Sequence, residues 1–73
     1  MTIPDYAILI EPLSAEDGGG FVATVPDLPG SMSDGETREE AAHNVEDAIS
    51  VWLAAAKEMG RPIPAPTRRA AVA

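Results

Sequence analysis

Cysteine is absent from this 73-residue chain, and its aromatic residues amount to one Trp, one Tyr and one Phe. Without cysteine there are no disulfides, no thiolate nucleophile and no cysteine-ligated zinc, which fits a reducing compartment. The lack of aromatics leaves few large side chains for a core. A chain of this length hides only about 60% of its unfolded surface, so self-association as a homodimer or larger homo-oligomer is expected. Basic residues are scarce as well, 5 Lys and Arg against 12 Asp and Glu, for a formal net charge of -7. Such a balance repels a phosphate backbone, because counterion release needs Lys and Arg; direct DNA binding is not expected, and a protein partner should be basic. Met1 to Glu11 lacks the basic stretch and long apolar run of a signal peptide, and no apolar segment is long enough to cross a bilayer. The expected location is cytoplasmic, with no membrane partner. What remains, with 45% hydrophobic residues, is the composition of one small folded domain.

Tyr6 to Glu11 (YAILIE) is apolar on both parities, with Tyr6, Ile8 and Ile10 on one side and Ala7 and Leu9 on the other. It reads as a strand with two covered faces. Pro12 to Gly20 collects Pro, Ser, Asp and three consecutive glycines, and reads as a hairpin loop. Phe21 to Val25 is the return strand, with Phe21, Ala23 and Val25 on one side and Val22 and Thr24 on the other. Pro26 and Pro29 cannot donate ladder hydrogen bonds, so VPDLPG (Val25 to Gly30) should leave the sheet. Ser31 to Asp34 then makes a short third strand that Gly35 breaks.

Thr37 followed by Glu40 is a capping box, so a helix begins there. Its apolar residues fall at Ala41, Val45, Ala48, Ile49, Trp52, Leu53 and Ala56, the stripe of a helix that packs on a sheet. Glu39, His43, Glu46, Asp47 and Lys57 occupy the opposite face. Gly60 is placed as the C′ residue, so the helix should stop near Met59. Pro62, Pro64 and Pro66 force an extended path beyond it. The main domain is expected over residues 1–66, with 67–73 a tail or short edge strand.

None of the candidate catalytic features stands clear of its structural explanation. His43 lies on the solvated helix face, with Asp47 one turn on. Asp27, Asp34, Glu36, Glu39 and Glu40 contain enough carboxylates for a two-metal nuclease, but turns and helix starts favour acids by themselves. Gly18 to Gly20 is not followed by the Lys-Ser/Thr of a phosphate loop. Trp52 shares helical phase with Ile49 and Leu53, which makes it a core residue first. No catalytic residue, metal site or cofactor is therefore assigned. The second sheet face, with Ala7, Leu9, Val22 and Thr24, is apolar enough to need cover that one helix cannot supply.

Three stretches together, GGFVATVPDLPG (Gly19 to Gly30), SDGETREEAAHNVEDAI (Ser33 to Ile49) and GRPIP (Gly60 to Pro64), resemble the HicB-like antitoxins. The resemblance spans Tyr6 to Pro66. It implies an α+β domain of order β-β-β-α-β, a partial RNase H-like fold, with a three- to four-stranded antiparallel sheet on one helix. It also implies a non-enzymatic module that silences a small basic ribonuclease toxin of the HicA type. Typical full-length members carry a further DNA-binding segment; this chain matches the short form without it. With charge added to resemblance, Asp27, Asp34, Glu36 and Glu40 are the expected partner contacts, steering a basic, RNA-binding surface. A metal-dependent RNase H-like nuclease and an orphan oligomeric scaffold are the alternative readings.

Overall fold

The computed structural model describes residues 5–67. Three strands, β1 (Leu9–Pro12), β2 (Phe21–Thr24) and β3 (Met32–Gly35), precede one 21-residue helix, α1 (Arg38–Glu58). The strands form an antiparallel sheet in the order β1-β2-β3. This is the α+β arrangement expected, in the order β-β-β-α. The expected closing strand is not formed by residues 61–67, and its other placement, Arg68 to Ala73, lies outside the described residues.

Register divides the sheet into two faces. Ile10 pairs with Ala23 and Ala23 with Ser33, while Leu9 pairs with Thr24 and Thr24 with Met32. The first row faces α1. Tyr6, Ala23, Val25, Leu28, Ala41, Val45 and Ile49 form the buried cluster, with Ile8, Ile10, Phe21, Ala48, Trp52 and Leu53 packed at its margin. Small residues at its centre, Ala23 and Ala41, let the helix sit close to the sheet. Fully burying Leu28, Val45 and Ile49 contributes about 1.5–3 kcal/mol each. Trp52 is half-buried, with its indole Nε1–H donating to the Pro29 carbonyl at 3.0 Å. Helix α1 is thereby tied to the turn between β2 and β3.

The helix boundaries follow the capping chemistry. Thr37 Oγ1 accepts from the Glu40 N–H at 3.0 Å. At the other end Gly60 adopts φ +68°, and the Arg61 N–H closes onto the Ala56 carbonyl at 2.8 Å, the arrangement of a left-handed C-terminal cap.

Three expectations need correction. The first strand pairs over Leu9–Pro12 rather than from Tyr6 to Glu11. Pro12 belongs to the ladder because an edge strand tolerates a residue without an N–H. Gly35 is the last residue of β3 rather than its breaker: a Cβ there would stand 2.5 Å from the Ala41 N and 2.8 Å from the Glu40 C. Lacking one, it admits the helix backbone. Finally, β1 is covered on one face only within the chain, for Leu9 remains 51% exposed. The loop after β1 also holds a short 3-10 turn, Ala15–Asp17, where Ser14 Oγ accepts from the Asp17 N–H at 3.2 Å.

Candidate partner-binding site

β3 runs directly into α1, so the acids at the end of the strand and those of the first helical turn share one end of the sheet. The β1–β2 loop closes over that end: a Cβ on Gly20 would lie 2.6 Å from the Gly35 carbonyl oxygen. A cleft of about 490 Å³ results, lined by Gly18, Gly19, Gly20, Asp34, Gly35, Glu36, Glu40 and Asn44.

Internal hydrogen bonds hold its walls. Glu40 Oε1 accepts from the Glu36 N–H at 3.1 Å, completing the capping box with a one-residue offset. Asn44, one helical turn after Glu40, donates from Nδ2 to the Asp34 carbonyl at 2.8 Å. The lining charges are all negative. Arg38 is set over the Phe21 ring, 4.6 Å from its centroid, where its charge meets the face of the π system. The carboxylates sit at the surface, and a cleft lined this way attracts cations rather than anions.

Of the four acids singled out in the sequence, Asp34, Glu36 and Glu40 come together in this cleft. Asp27 does not join them. It sits in the turn after β2, where Oδ2 accepts from the Thr67 N–H at 2.8 Å and Oδ1 from the Thr67 hydroxyl at 2.8 Å. The Thr67 amide, and after it the Thr67 hydroxyl, hold the Asp27 carboxyl below its ordinary pKa. Nearby, the Tyr6 hydroxyl donates to the Pro64 carbonyl. Two side chains thus anchor the chain beyond the helix to the opposite end of the sheet. Sequence reasoning missed Asn44 and the glycine lining; the spacing of Glu40 and Asn44, one helical turn, was the available signal for the first. Among the described residues no group of three or more His, Asp or Glu side chains is arranged to hold a metal ion. Nor is any described helix long and apolar enough to cross a membrane.

Comparison with known proteins finds relatives over most of the chain. A UPF0150 protein of Thermoplasma acidophilum is 32% identical over 59 residues, 81% of each chain. A UPF0150 protein of Synechocystis is 36% identical over 62 residues, 85% of this chain and 75% of the relative. A 14.9 kDa protein of Haemophilus phage HP1 is 42% identical over 48 residues, 66% of this chain and 33% of its own. No solved structure matches. The family described as HicB-like antitoxin of bacterial toxin-antitoxin systems matches residues 6–73. The chain therefore belongs to the HicB-like antitoxin family.

Proposed function

We propose that this protein is the antitoxin of a toxin-antitoxin pair, that its target is a small basic mRNA interferase of the HicA type, and that it acts by covering the toxin's RNA-binding and catalytic surface. The observation that carries this reading is the acidic cleft between β3 and α1. Asp34, Glu36 and Glu40 line one concavity, in a chain of net charge -7. A groove on a ribonuclease that holds phosphates is complementary to such a surface, and a carboxylate lining competes with RNA for the same cations. Asp27 is the outlying contact; it stays ionised, but with Thr67 bonded to both oxygens it has fewer free acceptor sites for a partner's donors.

The protein so read is a cytoplasmic, non-enzymatic module that works as a homo-oligomer and has no DNA-binding role of its own. Co-expression with a small basic HicA-type chain, sought in the neighbouring reading frame, followed by pull-down and an RNA cleavage assay, tests the proposal. Capture of that chain with suppression of its cleavage is the expected result; neither capture nor suppression overturns it. Incubating the purified protein with RNA and Mg²⁺ or Mn²⁺ tests the non-enzymatic part, and metal-dependent cleavage would refute it.

A further inference from the structure

The first residue of α1 carries a charge that its position disfavours. Thr37 is the N-cap, so Arg38 stands at the positive end of the helix dipole, which suits the acids that follow it, Glu39 and Glu40. The helix offers its guanidinium no partner: the positions three and four residues on, where an ion pair could form, are Ala41 and Ala42. Arg38 turns to the sheet instead, with its Cζ 4.6 Å from the centroid of the Phe21 ring. All twelve Asp and Glu side chains fall between Asp5 and Glu58, within the described residues, and none of them is in ion-pair contact with Arg38.

Carboxylates are nonetheless close at hand. Arg38, Phe21, Glu36, Thr37 and Glu39 line a shallow hollow of about 420 Å³. Glu36 also lines the acidic cleft, so it is the wall that the hollow and the cleft share. The ring that Arg38 faces is firmly held. Phe21 pairs with Pro12 of β1 and Gly35 of β3, and its side chain packs on the margin of the buried cluster. The flexible arginine therefore takes its position from the ring, and the ring face, rather than a carboxylate, receives its charge.

We infer that Phe21 is a positioning residue for the partner-binding cleft: its ring holds the Arg38 guanidinium beside the cleft and leaves Glu36 for a cation brought by the partner. This rests on the reading of the cleft as the docking point of a basic partner, and it names a residue outside the cleft that keeps it available. Without the ring, Arg38 folds onto Glu36 and becomes an internal counter-ion. A tethered cation competes at a high effective concentration, so the partner would have to displace it before its own cation could bind.

The test uses the full chain and hexa-arginine as the probe, followed by the amide resonances of Gly18, Gly19, Gly20 and Asn44, which report the cleft. Phe21→Leu keeps an apolar side chain and removes the π face. At low salt it should weaken hexa-arginine binding about two- to fivefold, the range of a single exposed ion pair. The difference should disappear near 1 M salt, where the Debye length is about 3 Å. Adding Arg38→Gln to Phe21→Leu should restore at least wild-type affinity. Removing an exposed arginine does not repair a damaged fold, so the double variant separates positioning from loss of structure. In the same samples the Arg38 side-chain protons should lose their ring-current shift in Phe21→Leu and gain contacts to Glu36. Binding that Phe21→Leu does not weaken, or weakening that Arg38→Gln does not repair, overturns the inference, as does an Arg38 side chain that stays away from Glu36. A wild-type chain that ignores hexa-arginine overturns the cleft reading and this inference together. Toxin capture by the wild-type chain with an unaffected Phe21→Leu variant overturns only the role of Phe21.

Discussion

Asp27 grips Thr67 with both carboxylate oxygens, each 2.8 Å from its donor, across 40 residues of chain. The contact joins the turn after β2 to the segment beyond α1, and it depends on Asp27 being ionised. Because the folded-state pKa is depressed, the contact is fully present above the ordinary carboxylate range and is lost as pH falls through the lowered value. The Thr67 amide resonance should therefore shift on acidification below about pH 4. In Asp27→Asn that titration should vanish; an unchanged profile in the variant would assign the shift to another group.

Leu28 offers a sharper stability test. Its side chain is 0% exposed, in the turn between β2 and β3, whereas Leu9 is 51% exposed. Leu28→Ala should cost about 2–5 kcal/mol, a large share of a small domain's total stability. Because Leu9 is half-exposed in the single subunit, Leu9→Ala should cost well under half as much in denaturant titrations at protein concentrations low enough to suppress association.

Ser31 is buried, 5% exposed, and its Oγ has no hydrogen-bond partner among the described residues. An unpaired buried hydroxyl costs about 1–3 kcal/mol. Ser31→Ala should therefore leave the melting temperature unchanged or raise it by several degrees. A fall would show that the hydroxyl is hydrogen-bonded in solution.

Gly35 sits where the helix backbone touches the sheet, with a Cβ position 2.5 Å from the Ala41 N. Backbone cannot swing aside as a flexible side chain can, so Gly35→Ala should destabilise by at least about 1–3 kcal/mol. It should also push α1 away from β3 and open the acidic cleft. Hydrogen exchange at the first turn of α1, compared with the last, would locate the damage.

Charge reversal in the cleft separates steering from fit. Replacing Asp34, Glu36 and Glu40 together by Lys should slow association with a basic partner by at least tenfold at low salt and flatten its salt dependence. Equal effects at low and high ionic strength would count against electrostatic steering.

The elements themselves were readable from local chemistry. Thr37 with Glu40 marks one end of α1 and Gly60 the other, because caps are short-range interactions between neighbouring residues. Alternation at Phe21, Ala23 and Val25 correctly assigned the inner face of β2, since side-chain period in a strand is a property of the backbone. Leu28 was not readable in this way. Its neighbours are prolines and a glycine in a turn, and no periodicity tells which turn residue is driven into the core. Likewise Asp27, Asp34, Glu36 and Glu40 lie within fourteen residues of one another in the sequence, yet three meet in a cleft and the fourth is drawn to Thr67.

Composition, capping and alternation by themselves determined that this is one small acidic α+β domain, with a long helix after three strands and with apolar surface to spare. Only the tertiary structure decided which carboxylates converge, that Asn44 takes the Asp34 carbonyl, and that Gly35 admits the helix backbone. The physical reason is distance along the chain. Elements are set by interactions within a few residues, whereas the cleft and the edges depend on contacts such as Asn44 with Asp34, Gly20 with Gly35 and Thr67 with Asp27, which exist only once the helix has docked on the sheet.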